Sequence, residues 1–223
     1  AFQQDNLRVA FLIARALGLD SDRLAAAIPT LRGLPHRMES LGAFTDAASG
    51  WRIEITDNGV STTPESTVAA LRSLGTPEGQ RIVLVGGELK RGCDLEALAA
   101  CASELGWTVA PFGSSSEALA AAARNAGTAL LRDATGQDRD TWPDTVEETV
   151  SAILEGTALG PDGATSPSSS SLHMLFSPAC ASFDRYPNFK ARARAFRDAL
   201  AARGWRSDAP EPPPATERSN SRD

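Results

Sequence analysis

Two charged residues stand directly after a short apolar run, at a point where side chains are well placed to do chemistry. Glu88 and Lys90 follow the run RIVLV at 81–85 and a pair of glycines, which predict a strand with a sharp exit. In an open α/β sheet the carboxyl ends of the strands form the ligand crevice. The pattern therefore predicts that Glu88 and Lys90 meet a small polar ligand. A tight turn with exposed charges is the alternative.

A second segment of small and polar residues, SPACAS at 177–182, follows the apolar run LHMLF at 172–176. Small side chains let the backbone approach a ligand, and hydroxyls with available amide groups suit a carboxylate or a phosphate. Cys180 raises the question of a nucleophile, but neither His36 nor His173 has a local spacing that would activate its thiol. His173 lies within an apolar run, which favours a structural role. The segment predicts a binding loop.

A connector bounded by glycine and proline, GLPHR at 33–37, joins a helical lead-in to the rest of the chain. Such a connector is where two rigid bodies can hinge, and the guanidinium of Arg37 suits bidentate binding of a phosphate across that hinge. An ordinary interdomain linker with a surface arginine is the alternative.

Short β-type runs alternate with amphipathic helices from about residue 41 onward, which is typical of a sheet with crossover connections. The predicted fold is α/β, a Rossmann-like and mostly parallel sheet with flanking helices on both faces. The predicted strands are 51–56, 81–85, 107–111, 128–131 and 172–176, and the predicted helices lie near 64–74, 94–105, 116–126, 142–156 and 187–203.

The first 33 residues read as two short helices, the first capped by Asp5 and the second by Asp20 or Ser21. So short a pair buries too little apolar surface to fold alone, so we expect it to belong to a larger body. The chain opens at Ala1 without a methionine, and we expect further sequence before it. The Ser- and Pro-rich stretch 159–171 predicts a mobile loop, and the tail 207–223 predicts disorder.

The last predicted helix combines a buried apolar stripe with several basic side chains, and a run of charges usually indicates a solvated face. The residues predicted to lie on that wet side are Lys190, Arg192, Arg194 and Arg197.

Composition excludes several functional classes. The chain has 223 residues with 22 basic and 28 acidic side chains, a formal charge of -6, which argues against a protein that coats nucleic acid. The sequence contains no run of about eighteen uncharged apolar residues, the length that a helix needs to span a bilayer. Three cysteines without CxxC spacing argue against a disulfide framework or a zinc site and favour a reducing cytoplasm. No GxxxxGK[ST] loop and no GxGxxG after a strand is present.

Five stretches together resemble the Mur ligases, the ATP-dependent ligases of peptidoglycan synthesis. Their sequences are QQDNLRVA at 3–10, GLPHRME at 33–39, DNGVSTTPESTVAAL at 57–71, VLVGGELKRGCDL at 83–95 and SPACASFDRYPNF at 177–189. The last is the most specific and is similar to the D-glutamate-adding branch. The resemblance covers about residues 1–203. It implies that 1–33 are the C-terminal helices of a central ATPase domain and that 34–206 form the amino-acid-binding domain.

The family's reaction gives these positions implied roles. The resemblance implies that ATP phosphorylates the terminal carboxylate of UDP-N-acetylmuramoyl-L-alanine, and that the amine of D-glutamate attacks the acyl phosphate. ATP and Mg²⁺ would be bound mainly by the central ATPase domain, so no catalytic residue is assigned here, and this chain alone is expected to be inactive. The implied D-glutamate-binding residues are Thr62, Lys90, Ser182, Phe183 and Phe189. The implied nucleotide-binding residues are His36, Arg37, Asp57 and Asn58.

The sequence also departs from the family pattern. Asn58, Gly59 and Val60 stand where many members have Asp-Ser-Lys, and Glu88 stands where aspartate is more usual. Two alternatives therefore remain open: a binding module that has lost catalysis, and a ligase for another amino acid. The resemblance implies a cytoplasmic protein that is monomeric at full length and binds neither nucleic acid nor membrane.

Overall fold

The computed structural model describes residues 2–31, 33–133, 135–137, 139–157 and 171–206. The predicted mobile loop, apart from Ser171, and the predicted disordered tail lie outside these residues. The strands are β1 (Glu39–Thr45), β2 (Arg52–Asp57), β3 (Gln80–Gly86), β4 (Thr108–Phe112) and β5 (Ser171–Ala179). The helices are α1 (Phe2–Ala16), α2 (Ser21–Ala27), α3 (Pro64–Leu74), α4 (Leu95–Glu104), α5 (Ser116–Asn125), α6 (Val146–Thr157) and α7 (Phe189–Ala202).

The strands form one sheet in the order β1-β2-β5-β3-β4. Strands β2, β5, β3 and β4 run parallel, and β1 pairs antiparallel with β2 at the outer edge. This confirms the predicted α/β class with a mostly parallel sheet. The sequence pattern missed β1 because ESLGAFT lacks regular alternation, and its pairing is interrupted between Ser40 and Ala43, where Gly42 has φ +77°.

Two apolar layers cover the sheet, one on each face. Helices α6 and α7 pack together over one layer, where the rings of Phe176 and Phe196 stack with centroids 4.4 Å apart. Helices α3, α4 and α5 cover the other layer, which contains Val83, Leu98 and Leu119. The strands are thus buried on both sides, which explains why their sequences read as continuous apolar runs.

Three local predictions are wrong. The run 128–131 makes one isolated parallel bridge, between Leu130 and Val109, and does not form a strand. Helix α6 begins at Val146 and not near 142, because the preceding residues turn and Pro143 O accepts a hydrogen bond from Gly113 N. Helix α1 begins at Phe2, so Asp5 lies inside the helix and not at its N-cap.

The lead-in helices keep much of their apolar surface uncovered. Asp20 caps α2 as predicted, because its side chain accepts from Arg23 N at 2.9 Å. However, Leu12 and Ile13 in α1 are 65 % and 56 % exposed, Leu17 just after it is 78 % exposed, and no residue of α2 is buried. Among the described residues, no helix has both the length and the apolar character needed to cross a membrane.

Candidate functional site

Three of the predicted site loops leave neighbouring strands at the same edge of the sheet. Thr62 follows β2, Lys90 follows β3, and Ser182 follows β5. Because β5 lies between β2 and β3 and all three strands are parallel, their carboxyl ends meet. A lysine and two hydroxyl side chains therefore come to the edge where open α/β sheets bind ligands.

The loops after β3 and β5 are bonded directly to each other. Glu88 N donates to Ala181 O at 2.8 Å, and Ala181 N donates to Glu88 O at 3.0 Å. Lys90 and Ser182 follow this pair closely in sequence. Lys90 is exposed, whereas Ser182 is buried. The cation and the hydroxyl therefore lie on two loops that backbone hydrogen bonds join.

A buried arginine supports this pair of loops from within. Arg192, in the first turn of α7, is 0 % exposed, and its guanidinium donates to the backbone oxygens of Gly86, Cys180 and Ala181 at 3.0–3.1 Å. Within the described part of the chain it forms no ion pair, and its burial lowers its pKa to about 10. The prediction that Arg192 lies on a solvated face is wrong, because the ends of two strands present carbonyls that need a donor.

The same strand ends have a backbone that larger residues would disturb. A Cβ added at Gly86 would meet Phe112 O, and one added at Gly87, where φ is +124°, would meet both Ala181 O and the Arg192 guanidinium. At the end of β5, Ala179 adopts φ +64°. The close approach of the loops thus depends on glycine at the β3 exit.

The loop after β4 joins the assembly as well. Ser114 Oγ and Ser115 N both donate to Gly87 O, at 3.0 and 3.1 Å. Ser114 N donates to Asp184 Oδ2 at 3.0 Å. Asp184, just beyond Ser182, is therefore a structural brace between the β4 and β5 loops that the sequence did not single out.

The loop after β2 is fixed to the end of β5 through buried hydroxyls and an amide. Thr67 Oγ1 donates to Ser177 O at 2.9 Å, and Asn58 Nδ2 donates to Ser177 Oγ at 3.0 Å. Ser61 Oγ lies 2.8 Å from Thr67 Oγ1. Thr62, next to Ser61, is half-buried. Asn58, which departs from the family pattern, here joins the loop after β2 to the end of β5.

An ionic cluster holds the connector against the end of β2. Asp57 Oδ2 lies 2.8 Å from His36 Nδ1 and accepts from Arg197 Nε at 3.0 Å and from its terminal nitrogen at 2.7 Å. That nitrogen also donates to Glu39 Oε2 at 2.6 Å, and Glu39 Oε2 accepts from His36 N at 2.8 Å. The prediction that Arg197 lies on a solvated face is therefore also wrong, because it bridges two carboxylates.

The cluster already contains its own cation. Burial would lower the pKa of Arg197, but its hydrogen bond to Asp57 and the charges of Asp57 and Glu39 raise that pKa above its ordinary value. In the described ranges, His36, Glu39 and Asp57 are the one group of side chains close enough to hold a metal ion. The Arg197 guanidinium lies between the two carboxylates, so these residues do not fit a metal ion.

The predicted nucleotide residues are mostly internal. Asp57 and Asn58 are 0 % and 5 % exposed, and their polar atoms bond within the domain. Arg37 is half-buried in the connector. Of the predicted aromatic walls, Phe189 packs edge-on against His36, with centroids 6.5 Å apart.

Phe183, the other predicted wall, is 70 % exposed at the loop after β5. Cys180, in the same loop, is buried. Burial raises the pKa of its thiol, which lies 3.5 Å from Ser115 Oγ. A thiol held protonated in this way fits the interpretation of this segment as a binding loop.

The sequence reasoning missed Arg192 and Arg197 because basic residues among alanines resemble a helix surface. For Arg192 a signal existed, since it precedes Phe196 by four residues and Leu200 by eight and so lies on the buried stripe. For Arg197 no local signal existed, because Asp57 is 140 residues away in sequence.

Comparison with known proteins identifies the family. UDP-N-acetylmuramoylalanine–D-glutamate ligase of Ralstonia nicotianae is 32 % identical over 197 residues, which are 88 % of this chain and 33 % of that protein. The enzyme of the same name from Aquifex aeolicus is 30 % identical over 201 residues, covering 86 % of this chain and 39 % of that protein. No family model matches the chain. The chain belongs to the Mur ligase family and spans about a third of the length of these relatives.

One solved structure supports the fold. MurF from Acinetobacter baumannii aligns with 85 % of this chain and 35 % of its own, with a TM-score of 0.55 and 17 % identity. MurF ligase from Thermotoga maritima in complex with ADP aligns with 86 % of this chain and 37 % of its own, at 17 % identity and a TM-score of 0.45, which is too low to bear on this chain. The first similarity supports the α/β architecture and says nothing of substrate.

Proposed function

We propose that this chain is the amino-acid-presenting portion of an ATP-dependent ligase that adds D-glutamate to UDP-N-acetylmuramoyl-L-alanine in peptidoglycan synthesis. The observation that supports it most is the pair of backbone hydrogen bonds between Glu88 and Ala181, which brings the Lys90 and Ser182 loops together at one sheet edge. The identity to ligases of that name supports the choice of substrate.

The residues at this edge suit a small dicarboxylate with an amine. Lys90, exposed at the loop surface, would bind one carboxylate of D-glutamate by a charge-assisted hydrogen bond. Thr62 and Ser182 would donate hydroxyl hydrogen bonds, and Phe183 and Phe189 would form walls that limit how the ligand turns. Holding the amine in one direction is the catalytic contribution of this portion, since correct orientation alone accounts for a large share of the rate of a two-substrate reaction.

ATP and Mg²⁺ would be bound mainly by other parts of the ligase. No phosphate-binding loop motif occurs in the sequence, and the carboxylates of Glu39 and Asp57 are already paired with Arg197. This chain would contribute Arg37 from the connector, with Asp57 and Asn58 acting from behind it through His36 and Met38 rather than by direct contact. Residues 1–33 would be the C-terminal helices of that ATPase domain, and exposed apolar side chains such as Leu12 and Ile13 would pack against the rest of it.

The test uses the natural protein that contains this chain together with its ATPase domain. Lys90→Ala should raise the KM for D-glutamate at least tenfold, because a hydrogen bond between charged groups is worth about 1.5–3 kcal/mol. Arg72→Ala is the control: it removes an exposed cation from the last turn of α3, at the end of that helix that is farther from the site edge. It should leave the KM unchanged.

The outcomes separate this proposal from its alternatives. An unchanged KM in Lys90→Ala would refute the role of Lys90. If ATP turnover depends on an amino acid other than D-glutamate, that amino acid is the substrate, and a panel of amino acids would identify it. Absence of any amino-acid-dependent turnover in the whole protein would favour a binding module without catalysis, which the missing Asp-Ser-Lys run allows.

A further inference from the structure

The backbone at the end of the connector, including Met38 just after it, has an unfavourable conformation that needs outside contacts to persist. His36 and Met38, on either side of Arg37, adopt φ +61° and +48°, a region that side chains other than glycine rarely occupy. Such a backbone conformation is strained and persists only where surrounding contacts enforce it. Some group outside the connector must therefore fix this conformation.

The geometry points to Arg197 as a positioning residue that fastens the connector to the domain and so sets the place of Arg37. Its guanidinium bonds Asp57 on β2 and Glu39, the residue with which the connector enters β1. Asp57 in turn bonds the His36 ring, and Glu39 accepts from the His36 amide. Arg197 also contacts the ring directly, because its terminal nitrogen lies 3.3 Å from His36 Nδ1. Arg197 therefore holds His36 both directly and through the two carboxylates.

The positive charge of Arg197 is necessary to keep the carboxylates of Glu39 and Asp57 close together. The facing atoms of His36, Glu39 and Asp57 all lie within 4.8 Å of one another. Two carboxylates at that separation repel each other, and Asp57 is fully buried, so its charge has no water to screen it. With Arg197 present, one nitrogen bridges both carboxylates at 2.6 and 2.7 Å. Without Arg197, the carboxylates of Glu39 and Asp57 would repel each other, and the connector should move away from the end of β2.

The cluster also reaches the amino-acid side of the proposed site. The His36 ring packs edge-on against Phe189, which begins the same helix as Arg197. Val60 N donates to His36 O at 3.1 Å, so the connector touches the loop that bears Thr62. The role of Arg37 toward a nucleotide rests on the proposed function, whereas the fastening of the connector does not.

The first experiment measures that fastening in the full 223-residue chain by hydrogen–deuterium exchange. Arg197→Gln should accelerate exchange of the His36, Met38 and Val60 amides at least tenfold and leave Val83, in the sheet core, unchanged. Arg194→Gln is the matched control on the same helix: the Arg194 side chain is 84 % exposed, and among the described residues its ion pair is with Asp198, at 3.7 Å. It should leave all of these amides unchanged.

Two results would overturn the inference. One is Arg197→Gln with connector amides that exchange as in the unmodified chain. The other is equal acceleration at Val83, which would make Arg197 a residue of general stability. If Arg197→Gln does not fold, Glu39→Ala provides the same reading, because it removes the acceptor of the His36 amide from an edge strand. It should speed exchange at His36 at least fivefold, and an unchanged rate there would equally refute the role.

The second experiment tests the consequence for the reaction in the whole ligase. Arg197→Gln should raise the KM for ATP at least fivefold while the KM for D-glutamate stays within twofold, and Arg197→Lys should restore part of the loss. Equal changes in both KM values would contradict a positioning role toward the nucleotide. If the whole protein shows no D-glutamate-dependent ATP turnover, the proposed function fails, yet the exchange experiment still decides whether Arg197 fastens the connector.

Discussion

Replacement of Arg192 by methionine tests whether a buried guanidinium holds the loops after β3 and β5 together. Methionine keeps a long apolar side chain but donates no hydrogen bond, so the carbonyls of Gly86, Cys180 and Ala181 lose a charged donor. Hydrogen bonds to charged groups are worth about 1.5–3 kcal/mol each, which gives a loss of roughly 4–9 kcal/mol.

An opposing effect reduces that loss. Burial lowers the pKa of Arg192 to about 10, which corresponds to a penalty of about 3 kcal/mol on the charged form. Methionine does not suffer this penalty. Ala181 O also keeps its bond from Glu88 N, which softens the loss at that oxygen. We therefore expect the free energy of unfolding to fall by about 3 kcal/mol, within the range for breaking a buried charged network.

Urea unfolding followed by tryptophan fluorescence measures this change. Arg194→Met on the exposed face of the same helix is the control, and it should change stability by less than about 0.5 kcal/mol. A loss below 1 kcal/mol in Arg192→Met would refute the reasoning, because it would mean that the strand-end carbonyls find other donors at little cost. An equal loss in both variants would show that the helix surface, and not the buried contact, is responsible.

Two further predictions concern the same edge of the sheet. Gly87→Ala should lower the free energy of unfolding by about 3 kcal/mol, because the added Cβ would collide with Ala181 O. Gly92→Ala is the control: Gly92 also has a positive φ but has open space around it, so the substitution should cost about 1 kcal/mol. Equal urea midpoints for the two variants would refute the close approach at Gly87. With iodoacetamide under native conditions, mass spectrometry should find Cys93 alkylated well before Cys180, because Cys93 is partly exposed, and early labelling of Cys180 would contradict the buried thiol.

The parts of the fold that the sequence predicted are those encoded locally. Strand β3 and the end of β5 are runs of apolar residues that the sheet buries on both faces, so their composition alone marks them. Because parallel strands end at one edge, the predicted positions of Lys90 and Ser182 followed from strand direction without any knowledge of contacts. Strand β1 was missed for the converse reason, since its residues are half exposed and its pairing is irregular.

The parts that the sequence did not predict depend on contacts between distant residues. Arg192 bonds Gly86, 106 residues away, and Arg197 bonds Asp57, 140 residues away. The composition of a helix indicates how much of its surface is apolar. It does not indicate whether the helix packs against strand-end carbonyls that lack a hydrogen-bond donor. A basic residue on an otherwise apolar stripe, as Arg192 is, is the one local sign that such a need exists.

The two arginines together constrain how this domain can move. Arg192 joins α7 to the loops that bear Lys90 and Ser182, and Arg197 joins the same helix to the connector at His36. From His36 onward the connector is therefore part of the same body as the proposed amino-acid site. Under the proposed function, the pivot between this portion and the ATPase domain would lie before His36, in the Gly- and Pro-containing residues 33–35. In that ligase Arg37 would travel with the bound amino acid, so closure would bring the guanidinium and the amine to the ATPase domain in a single movement.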